Sequence, residues 1–353
     1  MRKLATIQKI DEIIPIKDAD QIELAKIKGW QVVVKKGEFN KGGLGVFFEI
    51  DSFLPEKPVY EFLRKQCYKE MADGSKGFRL RTVKLRKTLS QGLLLPILLL
   101  PIKSIQEVYT LKDMVIGKDV TELLGVKLYE PPVPANLAGV IKGLFPIHII
   151  PKTDEERIQN LPEFFNLYKD VNFEETEKLD GSSVTTYYYT ENGFGVCSRN
   201  LELKEDINNT LWKVAIETGL KKNLETLKCN VAIQCEIMGE GISKNGLNLK
   251  GQHFYVYNIY DIDSHRYMTP EERYDFLSSL NNENIRHVPI INKSIKIFQV
   301  CDTMEKMLEY AKGKMKDRPE KEREGVVFKS CKIIDGQIVS FKVINNEYLL
   351  NEK

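Results

Sequence analysis

The sequence predicts an α+β protein of two domains, a small β-barrel or sandwich followed by an α+β domain built around antiparallel sheet. Three observations predict it. At 353 residues the chain is long enough for two separate cores. Up to about Leu128 it is a series of short strand-like runs separated by glycine, proline and charged turns, the pattern of a small all-β unit. Beyond Glu130-Pro131-Pro132-Val133-Pro134, which breaks regular structure and is the best linker in the chain, strands alternate with capped helices and no Rossmann glycine fingerprint occurs. The division is set at 1–135 and 136–353.

In the first domain the strand-like runs are Leu4–Ile10, Ile22–Ile27, Gln31–Val34, Gly45–Ile50, Phe78–Leu85 and Leu93–Leu100. The second domain starts near Gly143–Ile150. Glu174–Glu177 and Val184–Tyr189 read as strands flanking a glycine turn, and Gly195–Cys197, Val231–Met238, Phe254–Ile262, Gly325–Lys329 and Gln337–Ile344 follow. Thr269-Pro270-Glu271-Glu272 supplies an N-cap, a proline at the first helical position and a glutamate at the third, so a helix covers Arg273–Leu280. Another is predicted over Thr303–Lys312, with Asp302 as N-cap and Gly313 as stop signal. The charged run Lys314–Arg323 reads as a solvated loop.

Composition excludes several classes of function. Lysine and arginine number 52 against 50 aspartates and glutamates, a net charge of +2, so any nucleic-acid surface must be a local patch. Cys67, Cys197, Cys229, Cys235, Cys301 and Cys331 form no C-x-x-C pair and no zinc-ligand spacing, which predicts reduced thiols in an intracellular protein. The N-terminus MRKLATIQKIDEI lacks the apolar core and cleavage site of a signal peptide. The most apolar stretch, Gly92–Ile102, is broken by Pro96 and Pro101 and is too short to cross a membrane as a helix.

The chemistry concentrates at Lys178-Leu179-Asp180-Gly181-Ser182-Ser183. A lysine amine is inert while protonated, so one built for attack needs burial or neighbouring cations to lower its pKa. A K-x-D-G string arises by chance in roughly one chain of this length in ten. Its weight comes from the flanking strands, which set Lys178 on a hairpin-like corner. Four further segments follow in order: Ser198-Arg199-Asn200 at a strand end, Glu236 inside the apolar run Ile233–Gly239, the aromatic strand Phe254–Ile259, and the pair Glu324–Lys329 with Val339–Ile344. A carboxylate in an apolar strand is costly unless it meets a hydroxyl, a cation or a metal-bound water. Tyr257 offers a ring that can stack on a purine. Acids and bases spread over otherwise buried strands ask for a polyanion and a divalent metal between them.

These motifs resemble, in order, those of the covalent nucleotidyltransferase superfamily of polynucleotide ligases and mRNA capping enzymes. Gly239-Glu240-Gly241-Ile242-Ser243-Lys244-Asn245 before Phe254–Tyr257, the segment Lys152–Asn160, and a β-rich domain placed before the transferase are similar to the Naegleria-type RNA ligases. The resemblance implies an N-terminal OB-type β-barrel and an α+β nucleotidyltransferase domain of the ATP-grasp-like ligase kind on antiparallel sheets. It implies that Lys178 attacks the α-phosphorus of ATP and carries AMP. Arg199 then binds a phosphate or the ribose side, Glu236 the ribose hydroxyls or a metal-bound water, and Tyr257 stacks on adenine. Lys329 and Lys342 contact the α-phosphate, and Arg157 orients the γ-phosphate and the leaving pyrophosphate. Asp180, Glu236 and Glu324 hold the water shell of Mg²⁺ or Mn²⁺. Related ligases often carry K-x-K in the last motif, whereas here Ile344 takes the second place.

The basic run from Lys76 to Lys87 interleaves charge with apolar residues, and on one strand Phe78 and Leu80 face opposite to Arg79 and Arg81. With an OB-type fold this predicts RNA-backbone binding through Lys76, Arg79, Arg81, Lys84, Arg86 and Lys87. The expected activity is ATP-dependent sealing of RNA 3′-hydroxyl and 5′-phosphate ends, at nicks or free ends, with no membrane and no obligate protein partner. The rivals are a DNA ligase, a GTP-using capping enzyme, and a nucleic-acid-binding relative without catalysis.

Overall fold

The computed structural model describes residues 2–99, 116–133 and 139–351. Leu100 of the last predicted barrel strand, residues 101 and 102 of the apolar stretch, Pro134 of the linker and the predicted boundary at 135 and 136 lie outside the described residues. The chain divides into two compact units, Met1–Pro134 with Leu349–Lys353, and Ala135–Tyr348.

Short antiparallel pairings build the first unit. Ala5–Lys9, Leu44–Phe48 and Leu93–Leu95 form one sheet with Leu44–Phe48 at its centre, and Glu12–Pro15, Ile22–Ile27 and Trp30–Lys35 form another. Leu44–Phe48 is buried along its whole length because its two faces enter different cores. Val46 and Phe48 pack with Ile7, Leu54 and Phe78, while Phe47 packs with Ala25, Trp30 and Val32.

The basic run departs from the single strand predicted over Phe78–Leu85. Lys76–Arg79 pairs with Ser52–Pro55 and Tyr68–Glu70, whereas Thr82–Leu85 pairs with Thr88–Gln91 in a separate hairpin. The two pairings part after Leu80, whose side chain is buried, whose N–H donates to Ser52 O and whose carbonyl accepts from Asp51 N–H. The hairpin turns through Arg86 and Lys87, both at positive φ (49° and 61°), the conformation that a two-residue turn demands and that Asn-Gly usually supplies. Arg79 does not project freely; it pairs with Asp51 at 2.8 Å and lies 4.6 Å over the Tyr129 ring.

Two antiparallel sheets carry the second unit. The larger runs Ile141–Leu144, Leu201–Leu203, Gly193–Ser198, Ser182–Tyr189, Val231–Gly239, Gln252–Asp261, Arg266–Tyr267, with Arg286–His287 alongside Gln252–Asp261 in parallel. The smaller runs Ile290–Ile295, Phe173–Glu177, Gly325–Ser330, Ser340–Ile344. Helices Thr210–Glu217 and Leu220–Leu227 contribute Trp212, Val214, Leu220 and Leu224 to a core with Val184, Val196, Ile233 and Phe254 of the larger sheet. The smaller sheet buries Phe173, Phe328 and Phe341 with Phe298, and the cross-strand pair Phe328 and Phe341 stacks at 4.9 Å.

Lys178 does not sit on a hairpin corner. The strand before it belongs to the smaller sheet and the strand after it to the larger one, so Lys178-Leu179-Asp180-Gly181 is a crossover between sheets. Its ends are fastened by backbone. Lys178 N–H donates to Gly325 O at 3.0 Å, and a Cβ on Gly181 would lie 2.3 Å from Ile237 O, so only glycine enters the larger sheet there.

Of the predicted helices, Pro270–Ser279 starts with a complete capping box between Thr269 and Glu272. Met304–Tyr310 is capped by Thr303, whose hydroxyl accepts from Lys306 N–H, and not by Asp302, whose carboxylate pairs with Lys306 Nζ at 2.7 Å. The last strand, Ser340–Ile344, is shorter than Gln337–Ile344 because Ile334 and Gln337 close a tight turn over Asp335 and Gly336, both at positive φ. The charged run 314–323 is fastened rather than free. Arg323 donates to the carbonyls of Tyr310, Ala311 and Lys312 at the end of the helix, while Arg318 and Lys321 donate to Leu247 and Gly246. Among the described residues no helix is long and apolar enough to cross a membrane.

Candidate active site

Register on the two sheets assembles the site. On the smaller sheet Thr176, Val327 and Lys342 are cross-strand partners, and two residues along the same face Glu174, Lys329 and Ser340 form the next row. On the larger sheet Ser183 pairs with Glu236, and a bulge leaves Tyr257 as the extra residue between Val256, opposite Cys235, and Asn258, opposite Gln234. A cavity of about 120 Å³ lies where these rows meet. Lys178, Arg199, Glu236, Tyr257, Lys329 and Lys342 all line it, together with Asp154, 188 positions before Lys342.

Lys178 carries its charge into this cavity. Its Nζ donates to both oxygens of Glu324 at 2.7 and 2.8 Å. Burial alone pulls the amine's pKa down, but the charge and hydrogen bonds of Glu324, with Glu236 and Asp180 behind it, more than reverse that and hold it above its ordinary value. In the protein without ligands Lys178 is therefore an ammonium and cannot attack. The lowered pKa that a nucleophile needs must come from whatever draws those carboxylates away.

Glu236 and Asp180 flank the same amine. Glu236 accepts from Gly181 N–H at 2.9 Å, and burial pushes its pKa up to about 7, the neighbouring acids adding to the rise and Lys178 opposing it. Asp180 accepts a hydrogen bond from the Tyr348 hydroxyl at 2.6 Å. Among the described residues no three acidic, histidine or cysteine side chains converge closely enough to ligate one ion directly. Glu236 from its strand, Asp180 from the crossover and Glu324 from the residue before the strand Gly325–Ser330 surround a shared ammonium, an arrangement suited to holding an ion through its water shell.

The cations of the cavity are matched by acids. Lys342 donates to Asp154 at 3.1 Å, and Arg199 approaches the other oxygen of Asp154 at 3.7 Å. Lys329 is buried, lies 5.6 Å over the Tyr257 ring and pairs with Glu155 at 3.8 Å. Burial draws its pKa below the usual lysine range. The Tyr257 hydroxyl lies 3.1 Å from Thr153 Oγ1 and 3.4 Å from Ser183 Oγ. Arg157 is not part of the lining; its backbone bridges the Lys342 strand, where Lys342 N–H donates to Glu156 O at 2.8 Å. Ile344 is buried opposite Gly325, beside the crossover, and Lys329 stands opposite Ser340.

Beneath Lys329 is a polar chain that sequence reasoning missed. Arg273 pairs with Glu174, both fully buried, and donates through Nε to His287 Nε2 at 2.9 Å. His287 Nδ1 lies 2.6 Å from Val288 O, which fixes a neutral ring with its proton on Nδ1, and burial, reinforced by Arg273, lowers its pKa to about 3. Glu174 was visible as one of several carboxylates in the strand before Lys178. Its partner, 99 positions on in a helix, was not. Asp154 and Glu155 were missed because they lie in a stretch without helix or strand.

Residues 171–344 match a family model described as RNA ligase, and residues 4–97 match one described as an OB-fold domain. Among solved structures, a variant of the Naegleria gruberi RNA ligase with AMP and Mn is 43% identical, with 99% of each chain covered and a TM-score of 0.78. A variant with ATP and Mn is 42% identical over 99% of each chain, TM-score 0.77. The same enzyme with pyrophosphate is 43% identical, covering 99% of this chain and 98% of that one, TM-score 0.76. That ATP-bound variant has alanine in place of a lysine, and a further structure of the same enzyme has alanine in place of an aspartate two positions after it, the spacing of Lys178 and Asp180. No curated protein matches the chain.

Proposed function

The chain belongs to the RNA ligase family and is an ATP-dependent RNA ligase, and from that premise we propose which of its residues carry the reaction. Lys178 Nζ attacks the α-phosphorus of ATP. A nitrogen–phosphorus bond forms, the bond to the bridging oxygen breaks, pyrophosphate leaves, and the amine gives up its protons to solvent. AMP then passes to an RNA 5′-phosphate, and an RNA 3′-hydroxyl attacks that adenylylated end to seal the strand and release AMP. What supports this assignment most is one cavity holding the Lys178 amine, three further cations and the Tyr257 ring.

Phosphoryl transfer needs positioning and charge compensation more than covalent help. Lys342 and Lys329 are assigned to the α-phosphate, Arg199 to a phosphate or the ribose side, and Tyr257 to the adenine face. Arg157 is assigned to the γ-phosphate and the leaving pyrophosphate, reaching them from the segment that flanks Lys342. Asp180, Glu236 and Glu324 fit a Mg²⁺ or Mn²⁺ ion, since three carboxylates around one ammonium leave a local surplus of negative charge and oxygen donors suit both ions. When bound, such an ion supplies the positive charge that releases Lys178 from its carboxylates and favours the neutral amine. Glu324 thus has two tasks, holding Lys178 in place and giving it up.

RNA is assigned to the first unit. Lys76, Arg81, Lys84, Arg86 and Lys87 are exposed, with Arg86 and Lys87 at the tip of a strained hairpin. Arg79, already paired with Asp51, contributes less. The substrate we propose is a nicked duplex. With ATP and Mg²⁺ the protein is expected to seal a nick with RNA on the 3′-hydroxyl side about tenfold faster than an all-DNA nick, the discrimination coming from the 2′-hydroxyl. Equal sealing of both would remove RNA discrimination at nicks, and a preference for GTP would favour the capping rival.

A further inference from the structure

Two cations assigned to nucleotide phosphate are held by a single carboxylate that no part of the reaction uses. Asp154 takes a hydrogen bond from Lys342 at 3.1 Å and faces Arg199 at 3.7 Å. It belongs to a short strap fastened at both ends. Gln234 donates to Pro151 O at 3.0 Å, and Lys342 N–H donates to Glu156 O at 2.8 Å. A second cavity of about 660 Å³ shares Thr153, Asp154, Glu155 and Lys329 with the smaller one. The strap therefore lines both cavities.

We propose that Asp154 is a displaceable counter-ion that holds Lys342 and Arg199 in the nucleotide-free protein where a nucleotide phosphate comes to rest, so that ATP grips those cations only by turning Asp154 away. The inference rests on the nucleotide site described under the function above. Exposure decides which acid can move. The Asp154 side chain is 47% exposed and can rotate into water or the larger cavity with the backbone in place. Glu155 is 16% exposed and faces Lys329, 4% exposed, so its departure would strand a buried cation. Charge gives the direction of exchange. A triphosphate offers Lys342 and Arg199 more negative charge than the single carboxylate of Asp154 does. Asp154 thus competes with substrate, whereas a carboxylate that positioned the two cations would assist it.

The two roles predict opposite signs for Asp154→Asn, which keeps the shape and removes the charge. The probe is the initial rate of covalent AMP labelling against ATP concentration in Mg²⁺, at low and high salt, with thermal unfolding as a control for folding. KM for ATP is expected to fall about 2- to 5-fold, the range of a partly exposed ion pair, with kcat for labelling changed less than about twofold. The gap should narrow at high salt as screening weakens the competitor. A KM that rises or stays unchanged, or a loss confined to kcat, overturns the proposal. If the unmodified protein takes no label from ATP, the nucleotide site itself falls, and the role of Asp154 falls with it.

Discussion

Lys178→Ala is expected to abolish transfer of AMP from ATP to the protein, a loss of about 10⁴-fold or more, because no other group can form the covalent intermediate. Lys178→Arg should not rescue it, since a guanidinium stays protonated and offers no nucleophile. The loss should be confined to the first step. Sealing of an RNA nick whose 5′ end is already adenylylated should persist, because there the attacking group is the RNA 3′-hydroxyl and AMP is only the leaving group. The substitution also leaves Glu324 without its two hydrogen bonds, at a cost of about 1–3 kcal/mol in the metal-free protein. Labelling with α-labelled ATP, beside sealing of the preadenylylated nick, separates these effects; equal loss of both would mean that the variant has lost its site rather than its nucleophile.

Arg273→Ala is expected to destabilise the second unit by about 3–5 kcal/mol, the cost of leaving a buried carboxylate unpaired. Glu174 would remain fully buried without a cation, and His287 would lose the donor to its Nε2. Lys329, the cross-strand neighbour of Glu174, would then face a carboxylate free to claim it. Removing both partners should hurt less than the sum. Arg273→Met with Glu174→Gln is expected to cost about 1–3 kcal/mol less than the Arg273→Met and Glu174→Gln losses added together, the coupling that a double-mutant cycle reads from urea denaturation. Simple additivity would show that the pair does not act as a unit.

The parts of this molecule legible in the sequence are those set by local chemistry. The capping box at Thr269, the strand Ile22–Ile27 and the apolar strand Val231–Gly239 follow from side chains within a few residues of one another. Of the residues assigned to the nucleotide, Glu236, Lys329 and Lys342 were legible for a different reason: each stands in a β run that otherwise reads as buried, and such a group needs a partner. What stayed hidden depends on pairing between distant strands. Lys178 on a crossover, Tyr257 on a bulge and the basic run split at Leu80 are set by register, which local pattern does not carry. Arg273 reads as an ordinary surface arginine of a capped helix until Glu174 is placed against it. Asp154 has no local signal at all, because only the folded site makes it the partner of Lys342 and Arg199.

The most direct measurement is the position of AMP on the protein. After incubation with ATP and Mg²⁺ or Mn²⁺ in the absence of RNA, proteolysis and mass spectrometry should place one AMP, through an acid-labile phosphorus–nitrogen bond, on the peptide containing Lys178. AMP on any other residue, or a protein that seals RNA with ATP without passing through an adduct on Lys178, would contradict the account.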